Sequence, residues 1–335
     1  MIERAVDRLS PVDRSRLAPA AAMGWRAPML PTLAGSRPVG EGWIFERKFD
    51  GVRVIACRDG DRTALFSRSQ RAIDASYPEL AAALAAQPAG RFIVDGEIVV
   101  FDGAHTSFER LQARIHLTRP EQIRATGVSV VLCLFDVLVI GDVDVTGVSL
   151  RSRKDLLQEA FVFDDTVRFS AGRVGDGTAL FTEACAQGWE GLIAKRADSP
   201  YRSGRRSTDW LKYKCVREQE FVIGGFTDPN GTRLGFGALL LGYYDGDRLR
   251  YAGKVGTGFT DAILRDVRAQ LDRLRQPECP FADRVGERGA HWVRPELVAQ
   301  AGFSDWTDDG KLRHARFLGL RTDKPTHEVV REMPS

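Results

Sequence analysis

An apolar run of thirteen residues, VSVVLCLFDVLVI at positions 128–140, constrains the fold of this chain most. Its many β-branched residues predict a buried central strand. Shorter β-favouring runs, WIFERKF and VRVIACR, precede it, and Asp59-Gly60 gives a hairpin signal. Helical patterns follow it at 151–161 and 177–187. The chain up to about residue 216 is therefore expected to be α+β, with mostly antiparallel sheets.

A change of character after Cys215 indicates a second domain, as the length of 335 residues also suggests at roughly 150 residues per domain. The strand-like runs EFVIGGF, GALLLGYY and RLRYAGKVG, with an amphipathic helix at 261–275, predict a small β-barrel of the OB type. Residues 1–25 are weakly patterned and are expected to form a weakly structured lead-in. The two predicted domains therefore span 26–216 and 217–335.

Composition and spacing exclude several classes of protein. No apolar run approaches the ~20 residues that span a bilayer, and MIERAVDRLS at the N-terminus lacks the apolar core of a secretory signal, so we expect a cytoplasmic protein. The five cysteines are odd in number and none forms a C-x-x-C pair, so neither a disulfide framework nor a zinc knuckle is expected. The five histidines form no ligand pair, so any metal should be a hydrated, carboxylate-held ion such as Mg²⁺.

The distribution of basic residues points to a polyanionic ligand. The net charge is only +3, but residues 195–217 contain eight basic and two acidic residues. A solvated charged face is the alternative interpretation. Only eight of the 48 basic residues are lysines, so positions that keep lysine are candidates for chemistry that arginine cannot perform. Lys154 is expected to be an ordinary surface lysine.

The segment Glu46-Arg-Lys48-Phe-Asp50-Gly51-Val-Arg53 carries a candidate nucleophile. For half of the Lys48 amine to be unprotonated at pH 7, its pKa must fall from about 10.4 to about 7. Neighbouring cations and a bound metal are expected to lower this pKa, and Asp50 to orient the amine. The guanidinium of Arg53 can donate two parallel hydrogen bonds to a phosphate. The alternative is an ordinary strand and turn, because K-x-D-G is also common there.

Three later segments strengthen the candidate site. The segments DGE at 95–97 and EG at 190–191 each place a carboxylate beside a glycine, as a nucleotide or metal site requires. Lys212 and Lys214 lie two residues apart in a strand-like segment, hence on one face. A phosphate chain between them would relieve the repulsion of the two ammonium groups. The same pair is expected to lower the pKa of Lys48.

The ordered motifs K-x-D-G-x-R, S-R, D-G-E, F-D, E-G-L-I-A-K and W-L-K-x-K resemble those of the covalent nucleotidyltransferases, which comprise polynucleotide ligases and capping enzymes. More closely, the chain resembles the ATP-dependent DNA ligases of bacterial end joining (ligase D and ligase C types) from Pro28 to Lys324. The resemblance implies an adenylation domain at 26–216 and an OB-fold domain at 217–335. It also implies sealing of 5′-phosphate/3′-hydroxyl nicks in duplex DNA through a lysyl-AMP and a DNA-adenylate, with ATP and Mg²⁺ (or Mn²⁺) as cofactors.

The resemblance extends to individual residues. It implies that Lys48, beside Asp50, attacks the α-phosphate of ATP, and that Phe135 stacks on adenine, although Phe135 by itself also fits a core position. The residues implied in nucleotide binding are Glu46 at the adenine edge, Arg53, Arg68, Glu97 and Lys195, with Lys212 and Lys214 at the AMP phosphate. The implied metal ligands are Glu97 and Glu190. The residues implied at DNA or pyrophosphate are Arg205, Arg206, Lys254, Arg313, Arg316, Arg321 and Lys324.

Nicked or broken duplex DNA is the partner that the resemblance implies, with a Ku-type end-binding protein or a separate repair polymerase as further partners. Because 47 residues precede Lys48, we expect a stand-alone, monomeric catalytic core that is associated with the bacterial nucleoid and not with a membrane. A hinge at 215–219 is expected to let the barrel close over ATP and later face DNA. Two alternatives stay open: an RNA ligase or capping-type nucleotidyltransferase, and a DNA-binding module with an inactive site.

Overall fold

The computed structural model of the protein describes residues 6–20, 22–34, 38–215, 218–229, 234–307 and 309–332. The chain forms two compact units, which divide after Cys215. The predicted hinge at 215–219 includes residues 216 and 217, which lie outside the described residues. Among the described helices, none is long and apolar enough to cross a membrane.

In the described part of the first unit, the strands are β1 Ala18–Pro19, β2 Leu30–Leu33, β3 Val39–Lys48, β4 Val52–Asp59, β5 Arg62–Ser67, β6 Arg91–Val99, β7 Phe101–Asp102, β8 His105–Thr106, β9 Val131–Ile140, β10 Val143–Asp144, β11 Val167–Phe169, β12 Gly172–Asp176, β13 Gly191–Arg196 and β14 Arg206–Lys214. Its helices are α1 Pro11–Arg14, α2 Pro78–Ala85, α3 Phe108–Gln112, α4 Pro120–Ala125, α5 Leu150–Ala160 and α6 Gly177–Ala186, with a 3₁₀ turn at Asp74–Ser76.

Most of these strands belong to two sheets. Sheet A has the order β1-β10-β9-β6-β4-β5, with β11 beside β9, and sheet B has the order β12-β3-β13-β14-β2. Within the described residues, the strand pairs are antiparallel except β11 with β9 and β14 with β2. This arrangement confirms the predicted α+β class with mostly antiparallel sheets.

The predicted central strand is confirmed as β9, whose ten residues are all buried. On one face of sheet A, the main core includes Leu80 of α2 and Leu156 of α5. On the opposite face, Phe135 of β9 packs in a smaller core with Trp210 of sheet B. Both faces of β9 are therefore covered, which explains its continuous apolar sequence.

Part of the weakly patterned N-terminal segment is packed against the first unit. The carboxylate of Asp13 is buried and accepts hydrogen bonds from the backbone N–H of Ser149 at 2.9 Å and the Ser152 hydroxyl at 2.6 Å. Ser149 is the N-cap of α5, where a carboxylate is stabilised by unpaired N–H groups and the helix dipole. This segment therefore caps α5, although its sequence shows no regular pattern.

A disulfide joins Cys185, near the end of α6, to Cys215, directly after β14, with a Cα–Cα distance of 5.3 Å. Helix α6 packs on the outer face of sheet B, where Phe45 and Tyr213 form a small core with Ala184. This packing places Cys185 close to the end of β14. The cysteine count and spacing argue against a disulfide framework but do not predict this single bridge, because spacing along the chain does not reveal that packing.

In the described part of the second unit, the elements are β15 Glu218–Thr227, β16 Leu239–Asp245, β17 Arg248–Val255, α7 Asp261–Arg273, β18 Arg275–Gln276, β19 Ala290–Gly302, β20 Asp305–Trp306, β21 Leu312–Arg313, β22 Arg316–Arg321 and a 3₁₀ turn at Thr326–Glu328. The main sheet has the order β17-β16-β15-β19-β18, with β22 beside β19. A bridge between Thr257 and Arg316 joins the chain beyond β17 to β22, so the sheet curls toward closure.

The single long helix described in this unit, α7, completes its core. Leu264, Val267 and Leu271 of α7 are buried at helical spacing and pack with strand residues such as Phe221 and Leu239. A curled antiparallel sheet with one amphipathic helix agrees with the predicted small barrel of the OB type.

Candidate active site

Neighbouring strands of sheet B bring the predicted lysines together. In the register of β3, β13 and β14, Lys48 is aligned with Lys214 through Gly191, and Glu46 is aligned with Lys212 across β13. Side chains two residues apart on a strand point to the same face. These two lysines of β14 and two motif residues of β3 therefore share one face of sheet B.

The shared face of sheet B is turned toward sheet A. Trp210, two residues before Lys212 on β14, packs edge-on against Phe135 of β9, with ring centroids 6.3 Å apart. Tyr201 packs against the same tryptophan at 5.8 Å. The candidate site therefore lies between the two sheets of the first unit, where side chains from both can reach one ligand.

Gly51 allows the close connection between the two sheets. It lies between β3 of sheet B and β4 of sheet A, and a Cβ atom at this position would lie 2.2 Å from the carbonyl oxygen of Ile98. Only glycine avoids that clash. The glycine of the K-x-D-G motif is thus required by the approach of backbone to backbone.

Arg53 of sheet A is held by Asp95 on the neighbouring strand. Its Nε and Nη2 donate to the two carboxylate oxygens at 2.5 and 2.6 Å, and the Tyr201 hydroxyl donates to Oδ2 of Asp95 at 2.6 Å. Burial acts to lower the pKa of Arg53, but Asp95 outweighs it and raises the pKa. The guanidinium is therefore a fixed cation, and its predicted contact with a phosphate stays a prediction.

Lys48 forms an ion pair with Glu190, in which Nζ donates to Oε1. Burial acts to lower the pKa of Lys48, but the carboxylates of Glu190, Asp50 and Glu97 outweigh burial and raise it. The expectation that cationic neighbours lower this pKa is therefore wrong, because carboxylates dominate the surroundings of the amine. Lys48 is held as an ammonium ion and must lose a proton before it can act as a nucleophile.

Glu190 also offers an oxygen to a divalent cation. Its second oxygen, Oε2, is buried and has no hydrogen-bond partner among the described residues. Such an oxygen suits Mg²⁺, which takes one or two carboxylates and keeps water or phosphate ligands. Within the described part of the chain, no group of three acidic, histidine or cysteine residues forms a ready-made metal site. Glu190 and Glu97, which both act on Lys48, therefore fit a cation that also binds phosphate or water.

Glu46 lies in a buried ionic cluster. Its Oε1 accepts a hydrogen bond from Nζ of Lys154 at 2.8 Å. Its Oε2 accepts hydrogen bonds from Nζ of Lys195 at 3.0 Å and from the Ser170 hydroxyl at 2.9 Å. Burial acts to raise the pKa of Glu46, but the two lysines outweigh it and lower the pKa. Glu46 is therefore an ionised, hydrogen-bonded carboxylate.

Lys154 is the site residue that sequence reasoning missed. It is 6% exposed, so the prediction of a surface lysine is wrong. A signal was present in the sequence, because Lys154 is four residues after Leu150 and three before Leu157, both fully buried on α5. At that spacing Lys154 lies on the buried face of the helix.

Lys195 lies in the same buried ionic cluster as Glu46. Its Nζ is 4.3 Å from the ring centroid of Phe135 and 4.4 Å from that of Trp210. Burial lowers the pKa of Lys195 to about 8, with Glu46 opposing this effect and Lys154 adding to it. The predicted stacking of adenine on Phe135 and the predicted contact of Lys195 with the AMP phosphate stay predictions.

The other predicted residues of the first unit lie at strand ends. Arg68 directly follows β5 and is half-buried, and Arg205 is exposed just before β14. Arg206, the first residue of β14, is exposed and donates from Nη1 to the carbonyl oxygen of Pro31 at 2.5 Å. Their predicted contacts with phosphate groups stay predictions.

Most predicted basic residues of the second unit are already in ion pairs within it. The pairs are Lys254 with Glu287 at 2.7 Å, Lys324 with Glu220 at 2.7 Å and Arg321 with Asp323 at 2.9 Å. Arg313 and Arg316 are exposed. An ion pair leaves further N–H donors on a lysine or an arginine, so the predicted contacts of these residues with DNA or pyrophosphate stay predictions.

The chain matches two described families: "ATP dependent DNA ligase domain" over residues 32–214 and "ATP dependent DNA ligase C terminal region" over residues 232–324. It is 40% identical over 320 residues to the "Multifunctional non-homologous end joining protein LigD" of Pseudomonas aeruginosa, covering 93% of this chain and 37% of that protein. It is 37% identical over 314 residues to LigD of Mycobacterium tuberculosis, covering 91% of this chain and 40% of that protein. The chain thus spans about two fifths of the length of these relatives.

Two solved structures are similar over most of the chain. One is described as "mycobacterial DNA ligase D complexed with ATP and MES", with a TM-score of 0.66 and 35% identity over 92% of this chain and 98% of that chain. The other is the ligase domain of M. tuberculosis LigD, with a TM-score of 0.50 and 36% identity over the same shares of the two chains.

Proposed function

Since this chain belongs to the family of ATP-dependent DNA ligases, we propose that Lys48 takes AMP from ATP and that the resulting lysyl-AMP is used to join DNA strands. The observation that carries this proposal is the alignment of Lys48 with Lys214 across β13, with Glu190 on the lysine amine. The same site receives Arg53 and Phe135 from the facing sheet. A nucleophile, phosphate-binding cations and an aromatic ring are thus available to one nucleotide.

In the first step, Lys48 gives up its ammonium proton to water, which reaches its partly exposed side chain. The unprotonated Nζ then attacks the α-phosphorus of ATP, an N–P bond forms and the bond to pyrophosphate breaks. Glu190 holds the nitrogen in place before the attack. Lys212 and Lys214, from the same face of sheet B, neutralise negative charge on the reacting phosphate. A divalent cation held by Glu190 and Glu97 would add positive charge at the same phosphate oxygens.

The two later steps transfer AMP to DNA. A 5′-phosphate oxygen of the DNA attacks the phosphorus of lysyl-AMP, which releases Lys48 and forms DNA-adenylate. The 3′-hydroxyl of the adjacent strand then attacks the 5′-phosphate, a phosphodiester forms and AMP leaves. Arg53 is a fixed guanidinium that offers one more cation to these phosphates. Phe135 and Glu46 bind the adenine ring and its edge.

We further propose that the physiological substrate is a broken DNA end. The support is the similarity to LigD proteins, which are named for non-homologous end joining. In this role an end-binding protein of the Ku type would hold two DNA ends together, so that this chain meets a nick rather than two separate molecules.

A labelling and chase experiment tests the proposed function. The protein is incubated with α-³²P-ATP and Mg²⁺, separated from free nucleotide and offered a nicked DNA duplex, a nicked RNA duplex or linear DNA with cohesive ends. We expect covalent label on the wild type, its discharge onto nicked DNA and sealed product. Linear DNA should be joined faster when a Ku-type dimer is added.

Lys48→Arg is the matched variant, because it keeps the positive charge but cannot act as a nucleophile. We expect it to bind nicked DNA as the wild type does and to form no adduct. An adduct at the normal yield would show that Lys48 is not the nucleophile. Discharge onto RNA alone would identify an RNA ligase, and labelling by GTP but not ATP a capping-type enzyme.

A further inference from the structure

The buried cluster around Glu46 contains more positive than negative charge. Two ammonium groups, those of Lys154 and Lys195, contact a single carboxylate. The nearby carboxylate of Asp136 does not compensate, because it is paired bidentately with Arg153 at 2.7 and 2.8 Å. Burying a second cation beside one carboxylate costs desolvation energy that a single ion pair does not require. The second lysine is therefore expected to have a function that Lys195 alone cannot fulfil.

The contacts of Lys154 show what the second cation does. Its Nζ donates to Oε1 of Glu46 and to the backbone carbonyl of Ser170, both at 2.8 Å. The hydroxyl of Ser170 in turn donates to Oε2 of Glu46 at 2.9 Å. This closed ring of three residues fixes the plane of the carboxylate, which Lys195 alone, bound to Oε2, would leave able to rotate.

We propose that Lys154 is a positioning residue that selects the adenine base, because it holds Glu46 as an oriented, ionised hydrogen-bond acceptor. This inference rests on the proposed function, in which Glu46 meets the edge of the bound purine. Adenine carries an amine donor at C6, whereas guanine carries a carbonyl acceptor there. An ionised carboxylate accepts a hydrogen bond from the first and repels the second, so its charge and direction determine the preference for ATP.

The lowered pKa of Lys195 supports the same inference. Lys154 contributes to this lowering, so its ammonium group acts on the whole cluster and not only on the packing of α5. A merely structural role would be filled by an apolar side chain of similar length at this buried position, such as methionine.

The test uses Lys154→Met in the 335-residue chain. Glu46→Gln and the double variant complete a double-mutant cycle. Rates of covalent adduct formation, lysyl-AMP from ATP and lysyl-GMP from GTP, are measured over a range of nucleotide concentrations. The nucleotide concentration at half-saturation and the maximal rate are thereby obtained separately. We expect Lys154→Met to raise the ATP concentration needed for half-saturation. It should also lower the preference for ATP over GTP by about 10- to 100-fold. The maximal rate with ATP should change much less. The double variant should be no less selective than Glu46→Gln alone, because Lys154 acts through Glu46.

Two control variants separate positioning from stability. Arg114→Met removes another buried cation of the first unit, which is paired with Glu79 at 2.8 Å, and should lower thermal stability without changing the preference for ATP. Lys154→Arg retains a cation and should retain most of the preference. If Lys154→Met lowers stability and maximal rate but leaves the ATP-to-GTP ratio unchanged, or if its effect adds fully to that of Glu46→Gln, the inference is wrong.

Equilibrium binding distinguishes this inference from the proposed function. Fluorescent mant-ATP and mant-GTP are titrated into the wild type and Lys154→Met without any requirement for chemistry. A wild type that prefers the adenine nucleotide but forms no covalent adduct would refute the proposed function and leave the inference standing, provided that Lys154→Met loses the preference. A wild type that binds both nucleotides equally well refutes the inference even if Lys48 is adenylated.

Discussion

At the residue scale, charge decides what each lysine of the site can do. Lys48, held by carboxylates, has a raised pKa, whereas burial lowers the pKa of Lys195 to about 8. The pKa values of the two lysines are thus shifted in opposite directions within one site. Lys195 gives a prediction that stability measurements can test without any substrate.

We predict that Lys195 makes stability rise with pH between about 8 and 10.5. Its folded-state pKa lies below the unfolded value, so in this window the unfolded chain binds the additional proton and a rise in pH favours the folded state. The groups that act on Lys195 are Glu46 on β3, Lys154 on α5 and Asp136 on β9. Urea unfolding of the wild type and of Lys195→Met at pH 7 to 10.5 measures the difference.

Relative to Lys195→Met, the wild type should gain up to about 1.4 kcal/mol of unfolding free energy per pH unit in this window. Identical pH dependence in the two proteins would show that Lys195 has an ordinary pKa. Lys254→Met is the matched control, because Lys254 is more than half exposed and no part of the cluster.

At the scale of the elements, the ends of α6 and β14 are joined close to the site. The Cys185–Cys215 disulfide joins them, and the backbone N–H of Cys215 donates to the carbonyl oxygen of Glu190 at 2.9 Å. Lys214 directly precedes Cys215 in the chain. The same connection therefore positions one carboxylate and one lysine of the candidate site.

We predict that Cys185→Ser destabilises the first unit under non-reducing conditions. A cross-link that closes a loop with a sequence separation of 30 residues contributes roughly 3–4 kcal/mol by restricting the unfolded chain. Denaturant unfolding monitored by tryptophan fluorescence should show this loss, and added dithiothreitol should bring the wild type down to the level of the variant. Cys279→Ser, which removes an exposed free cysteine, should behave as the wild type. A wild type that is insensitive to dithiothreitol would contradict the prediction.

At the scale of the whole molecule, the basic segment 195–217 divides its charges between interior and surface. Its three lysines lie on the site face of sheet B or in the Glu46 cluster. Its described arginines lie at the surface, where Arg196 and Arg202 are about half exposed and both pair with Asp209. The excess of positive charge that the sequence shows is therefore divided between the candidate site and an exposed arginine surface.

We predict that Arg205 and Arg206 contribute to DNA binding as surface cations. Each phosphate contact makes the logarithm of affinity fall with the logarithm of salt concentration by about 0.9. The variant Arg205→Gln/Arg206→Gln should therefore bind nicked duplex more weakly and reduce this slope by about 1 to 2. Fluorescence anisotropy over a range of KCl concentrations measures the slope. Arg62→Gln, at an exposed hairpin end, is the control, and an unchanged slope in the double variant would exclude these arginines from the interface.

The amino-acid sequence by itself determined the family, the two-domain organisation, the buried central strand and the identity of the candidate nucleophile. These features depend on residue types at short, ordered spacings, such as K-x-D-G. Such spacings can be recognised in the sequence without knowledge of distant contacts. The alternation of strand side chains likewise predicted that Lys212 and Lys214 share a face.

Only the tertiary structure decided which partners these residues meet. Lys154 reaches Glu46 across 108 residues, Lys48 reaches Glu190 across 142, and Cys185 reaches Cys215 across 30. A pKa depends on the charges that folding brings within a few ångströms, so the raised value for Lys48 and the burial of Lys154 were not predicted. Local sequence patterns set the strands and helices, whereas the charge balance of the site arises from side chains that meet only when the two sheets and α5 pack together.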